Sequence, residues 1–148
     1  MSITPTSSQK AIFQGALERH FDMRTVIHSN KAPKAVGPYS QAINANNLIF
    51  TSGQLPIDPD SGSLFKGGII EQTKQVMENL KLILVTAGTD FSKVVKTTIY
   101  LKNIDDFSKV NEVYGRYFSD APPARSTFQV AGLPLGAMIE IDMIAMVE

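Results

Sequence analysis

Cysteine is absent from this chain, and histidine occurs only at His20 and His28. The first absence removes disulfides, zinc–thiolate sites and thiol nucleophiles, and it fits a reducing compartment. The second leaves too few imidazoles for a histidine triad or a multi-histidine metal site. Net charge is missing as well. Fourteen basic and fourteen acidic side chains cancel, so there is no long-range positive field to gather nucleic acid or an anionic membrane, although a local basic patch is compatible with that balance. No apolar run approaches the roughly 20 residues that a membrane-spanning helix requires.

What remains is an ordinary globular composition, 43% hydrophobic and 19% charged over 148 residues. A chain of that length makes one domain and buries roughly 70% of the surface its unfolded form exposes. Residues 1–22 stand apart as a polar extension, either a tail or an appended helix, with weak helical patterning from Lys10 to Phe21. Glu18 and Asp22 argue against an organelle transit peptide. A cytoplasmic protein is therefore expected, with mitochondrial import as the alternative. Met23 offers an alternative start, because the compact pattern of residues 23–148 begins there.

Strand-like alternation covers Arg24 to His28, Gln41 to Ala45 and Leu48 to Ser52, and Asn46-Asn47 between the last two is a hairpin turn signal. Pro56 to Gly68 is loop-like. From Ile69 to Ala87 apolar residues recur at three-and-four spacing, which predicts an amphipathic helix ended by Gly88. Lys93 to Leu101 is β-branched and predicts a strand parallel to one before that helix. Asn103 or Asp105 caps a second helix carrying Phe107, Val110, Tyr114 and Tyr117 on one side. Two strands close the chain, and the methionines of the last read as core filler.

Two helices cover only one face of such a sheet. Yet apolar residues fall on both parities, as with Val95, Ile99 and Leu101 against Val94 and Tyr100. Self-association is the economical way to bury the second face, and it places any charge there at subunit boundaries, where clefts form.

The chemistry-bearing residues concentrate in Pro123 to Ile141. Arg125 shares a parity with Thr127 and Gln129, and Glu140 shares one with Met138, Asp142 and Ile144. An antiparallel return through Gly132, Pro134 and Gly136 is expected to bring the two polar faces onto one side. Arg125 presents a planar fork that matches a carboxylate; a salt bridge to Glu140 or Asp142 is the plainer alternative. Glu140 can hold a water or move a proton if burial raises its pKa, or it simply faces solvent, and parity does not separate it from Asp142. Tyr39 follows a turn signal and either closes a cleft or packs under a loop. Gly53, in Ser52-Gly53-Gln54, permits close backbone approach to a ligand. The surroundings are not those of a phosphate loop. Asn111 is either a satisfied buried amide or a ligand contact.

Three motifs, Val36 to Ala42, Thr51 to Gln54 and Pro123 to Ile141, resemble in sequence and order those of the RidA (YjgF) family of reactive-intermediate deaminases, from about Arg24 to the C-terminus. The resemblance implies an α+β fold like chorismate mutase, a mixed sheet of about six strands backed by two helices. It also implies a homotrimer with clefts between subunits. The activity implied is hydrolysis of enamines and imines released by pyridoxal-phosphate enzymes, to 2-oxo acids and ammonia, with no cofactor or metal. Carried over by motif, Arg125 anchors the substrate carboxylate, the Thr127 carbonyl accepts from its nitrogen, Glu140 directs water and Tyr39 lines the cleft. Ser52, Gly53 and Asn111 surround them. Many relatives carry cysteine where this chain has Thr127, so thiol-based regulation has no thiol to act on here. Two other readings remain beside the deaminase. One is an endoribonuclease or translation inhibitor; the other is a non-catalytic trimer that senses small acids or acts as a chaperone.

Overall fold

The computed structural model describes residues 4–21 and 24–148; the alternative start at Met23 lies outside them. An appended helix α1 (Ser7–Phe21) precedes the sheet. It begins earlier than the apolar pattern suggests because Thr6 and Gln9 cap it reciprocally: the Gln9 side-chain oxygen accepts from the Thr6 N–H at 2.8 Å, and Gln9 N–H donates to Thr6 Oγ1 at 3.3 Å.

Strands β1 (Arg24–Ile27), β2 (Ala42–Ala45) and β3 (Leu48–Thr51) form the expected meander. Asn46 and Asn47 turn it with φ of 56° and 60°, the left-handed pair that a two-residue hairpin demands and asparagine tolerates. Helix α2 (Ile69–Thr86) follows the loop. Its end is a Schellman motif: Gly88, at φ 81°, and Thr89 donate back to the carbonyls of Val85 and Leu84. Strand β4 (Val94–Leu101), helix α3 (Phe107–Gly115), strand β5 (Ala124–Gln129) and strand β6 (Ile139–Met146) complete the chain. Asn103 caps a short 3-10 turn ahead of α3 rather than α3 itself, its side-chain oxygen accepting from Asp105 N–H at 3.0 Å.

The six-stranded sheet runs β1-β2-β3-β6-β4-β5, with β4 and β5 parallel and the other neighbours antiparallel. Both β3 and β4 are antiparallel to β6. They therefore point the same way, as the crossover through α2 requires, although β6 lies between them. Helices α2 and α3 cover one face, where Met77, Leu80, Ile83 and Leu84 of α2 meet Ile49, Ile99, Leu101, Ile139, Ile141 and Met143 in a fully buried core.

Three further expectations need correction. The parity that joins Val95 to Ile99 breaks at a bulge between Val94 and Lys96, so Val94 is buried and Val95 exposed. Met143 does fill the core, but Met146 is exposed on the other face. The third concerns the site. β5 and β6 are not neighbours, since β4 separates them. Arg125 pairs with Thr97, which pairs with Met143 on the helix face, whereas Glu140 pairs with Tyr100 on the open face. The two residues thus project from opposite sides of the sheet. Parity says which residues of one strand share a face; the intervening strand and its register decide how two strands relate.

The open face carries a row of Val26, Ile43, Phe50 and Ile144, with the Tyr100 and Phe128 pair farther along β4 and β5, and neither α2 nor α3 covers it.

Candidate active site

On the helix face, Arg125 at the sheet edge meets one side of α3. Its guanidinium carbon lies 5.0 Å from the centre of the Tyr114 ring and 5.4 Å from that of Phe107, within range of a cation–π attraction to both. No carboxylate lies within ion-pair distance of it among the described residues, so the salt bridge to Glu140 or Asp142 is not made. A cation held by two aromatic faces keeps its in-plane donors free for an outside acceptor. Beside it, Asn111 Oδ1 and Thr127 Oγ1 are buried without a hydrogen-bond partner. The satisfied-amide reading of Asn111 therefore fails at its oxygen, since buried polar atoms are normally paired. Asn111, Tyr114, Phe118, Pro123 and Arg125 line a depression of about 390 Å³.

A second depression, about 310 Å³, opens where β3 ends, lined by Val36, Tyr39, Ser52, Gly53, Pro134 and Glu140. A register change builds it. Phe50 pairs with Ile144, yet Gln54 bridges Ile141, which leaves Thr51, Ser52 and Gly53 opposite only Asp142 and Met143. Thr51 Oγ1 fills part of the gap by accepting from Met143 N–H at 2.9 Å, and Ser52 Oγ donates to the Ser40 carbonyl at 2.6 Å. The extra residue bends Gly53 against Glu140, so that a β-carbon at position 53 would stand 2.8 Å from the Glu140 carboxyl carbon. Tyr39, 47% exposed, accepts at its hydroxyl from Val36 N–H at 3.1 Å and so clamps its own loop at the rim. The ring lines a cleft rather than packing beneath a loop.

The two acids differ in their partners. Tyr100 donates to Asp142 at 2.9 Å, and burial followed by the Asp142 interaction raises the Tyr100 pKa. No described group donates to the Glu140 carboxylate, whose pKa is raised by burial and then by the charge of Asp142. Asp142 is engaged; Glu140 is free and easier to protonate than an ordinary glutamate, which suits an acid that must exchange protons.

The structure thus divides the seven sequence candidates into two groups, Arg125, Thr127 and Asn111 on one side and Tyr39, Ser52, Gly53 and Glu140 on the other. The aromatic pair behind Arg125 was not among them. Phe107, Asn111 and Tyr114 stand at i, i+4 and i+7 of α3, and an amide inside an aromatic stripe is the signal that marks this face as more than core.

Comparison with known proteins follows the same boundaries. A family model described as Endoribonuclease L-PSP matches residues 29–147. Protein DfrA of Myxococcus xanthus is 54% identical over 124 residues, 82% of this chain and 95% of that protein. Human 2-iminobutanoate/2-iminopropanoate deaminase is 50% identical over 123 residues, 83% and 90% of the two chains. A solved structure from Yersinia pestis, described as a protein of unknown function of the conserved Rid family, superposes with a TM-score of 0.82 at 49% identity, covering 84% of this chain and 99% of the other.

Proposed function

The chain belongs to the Endoribonuclease L-PSP family, which takes in the Rid proteins, and from that premise we propose that it is a hydrolytic deaminase of 2-imino acids such as 2-iminobutanoate and 2-iminopropanoate. One observation carries the reading: Arg125 is a guanidinium held between two rings without a described carboxylate partner. A small 2-imino acid brings the carboxylate that such a fork accepts in two parallel hydrogen bonds.

The reaction adds water to the C=N carbon and expels ammonia, leaving a 2-oxo acid. A protonated imine is already electrophilic, so positioning supplies most of what is needed. Arg125 fixes the acid end and the Thr127 carbonyl accepts from the imine N–H. Glu140 takes a proton from the attacking water and returns one to the departing nitrogen, a cycle favoured by its raised pKa. Asn111 and Thr127, with their unpaired oxygens, supply further hydrogen bonds around the substrate. Tyr39, Ser52 and Gly53 shape the wall opposite.

Arg125 and Glu140 project from opposite faces of the sheet, so a substrate of a few atoms meets both only if they come from different copies. Self-association places the Arg125 group of one protomer against the Glu140 group of the next, and it buries the apolar open face in the same step. The homotrimer implied by the family resemblance is the assembly we propose, working in the cytoplasm on imines released by pyridoxal-phosphate enzymes. No described helix is long and apolar enough to cross a membrane.

The test is imine hydrolysis with substrate generated in place by a dehydratase. The protein should accelerate 2-oxo acid release, and Arg125→Ala should abolish the acceleration. A wild-type rate equal to buffer rejects the proposal.

A further inference from the structure

Thr97 and Arg125 are register partners on the adjacent strands β4 and β5, both on the helix face. Thr97 is wholly buried. Its hydroxyl and that of Tyr114 lie 2.7 Å apart in a buried hydrogen bond that joins β4 to α3. Tyr114, itself only 5% exposed, is therefore held at both ends, by its backbone in the helix and by its phenol oxygen on the strand. A phenol tethered in this way cannot swing about its side-chain bonds, and its ring face is fixed in front of the Arg125 guanidinium. Burial also raises the Tyr114 pKa, with Thr97 and Arg125 acting in the opposite direction.

An arginine with no ionic partner has four rotatable bonds, and ordering them at the moment of binding costs affinity. We propose that Tyr114, pinned by Thr97, is a positioning residue that pre-orders the Arg125 fork for the substrate carboxylate, with Phe107 as the second, less constrained face. The inference rests on the reading of Arg125 as that anchor. It assigns to a buried strand threonine, which itself lines neither depression, a part in substrate affinity.

The experiment compares Thr97→Val, Tyr114→Phe and Tyr114→Leu with the wild type in three measurements: steady-state imine hydrolysis, calorimetric binding of 2-oxobutanoate, and thermal melting. Loss of the tether should raise KM and the 2-oxobutanoate Kd about 3- to 10-fold in Thr97→Val and Tyr114→Phe, with kcat changing far less. Loss of the ring in Tyr114→Leu should raise them roughly 10- to 30-fold, so that phenylalanine restores part of what leucine loses. If Tyr114→Leu does not fold, the other two variants, each lacking only a hydroxyl, carry the comparison. Wild-type affinity in folded variants overturns the inference, as does a fall in kcat with KM unmoved. If the wild type binds 2-oxobutanoate more tightly than the variants but hydrolyses no imine, the deaminase reading falls and the positioning role stands. If the wild type does neither, both fall.

Discussion

Gly53 and Glu140 compete for one space: a methyl on residue 53 would sit 2.8 Å from the Glu140 carboxyl carbon, closer than non-bonded atoms can approach. The glycine is required by that neighbour rather than by its own backbone, since it does not have the positive φ of Gly62 or Gly88. Gly53→Ala should push the carboxylate out of place and lower kcat by roughly 10- to 100-fold, the usual consequence of a displacement near 1 Å. A melting curve close to wild type would accompany it, because the side chain has solvent to move into. Full activity in the alanine variant would remove Glu140 from the chemistry.

Glu140 also links activity to pH. In the unfolded chain its proton leaves near the ordinary glutamate value of 4.5; in the fold, burial and then Asp142 move that event to higher pH. Between the two the native state binds more protons, so stability falls as pH rises through the window, and the cost is fully present above it. Glu140→Gln should therefore melt higher than wild type at about pH 8 and converge with it as the pH drops below the unfolded pKa. Its hydrolysis rate should fall about 100-fold. Calorimetric melting across the pH range checks the first, and a variant less stable at high pH contradicts the sign.

Phe50 stands 40% exposed in the middle of the uncovered sheet face, in a row with Ile43 and Ile144. A charge there cannot be buried without a partner. Phe50→Asp should leave a folded monomer in sedimentation experiments in which the wild type should sediment as the proposed trimer. It should also lose most activity, although residue 50 lines neither depression, because the two halves of the site would part company. An active monomer would show that a single copy holds the whole site.

Asn79 ties α2 to the loop before it, donating to the carbonyls of Leu55 at 3.1 Å and Ile57 at 2.8 Å from a fully buried position. Asn79→Ala strands the Ile57 carbonyl, while the Leu55 carbonyl keeps its bond from Ile57 N–H at 2.8 Å, and should cost about 1–3 kcal/mol in denaturant unfolding. Activity should weaken less than stability, since Leu55 only borders the Glu140 depression.

The meander, its asparagine turn, both sheet-covering helices and the final strands are legible along the chain because each depends on local rules. Period two marks β2 and β3. Period 3.6 marks α2, and Asn46-Asn47 satisfies a left-handed turn that few other pairs tolerate. The bulges are not legible. An extra residue at Val95 or at Ser52-Gly53 changes nothing in residue type, only the count of residues facing a partner strand that lies dozens of positions away.

The amino-acid sequence by itself determined which side chains are candidates for the chemistry, because a forked cation, a pair of nearby acids and a glycine are properties of residue type. Only the tertiary structure decided where they stand. Inserting β4 between β5 and β6 put Arg125 and Glu140 on opposite faces of the sheet, since the face a strand presents follows from its register with a neighbour that its own residues do not name. The same arrangement distinguished Asp142, engaged by Tyr100, from Glu140, left free. It also set Tyr114 behind Arg125 by joining β4, α3 and β5 at one point.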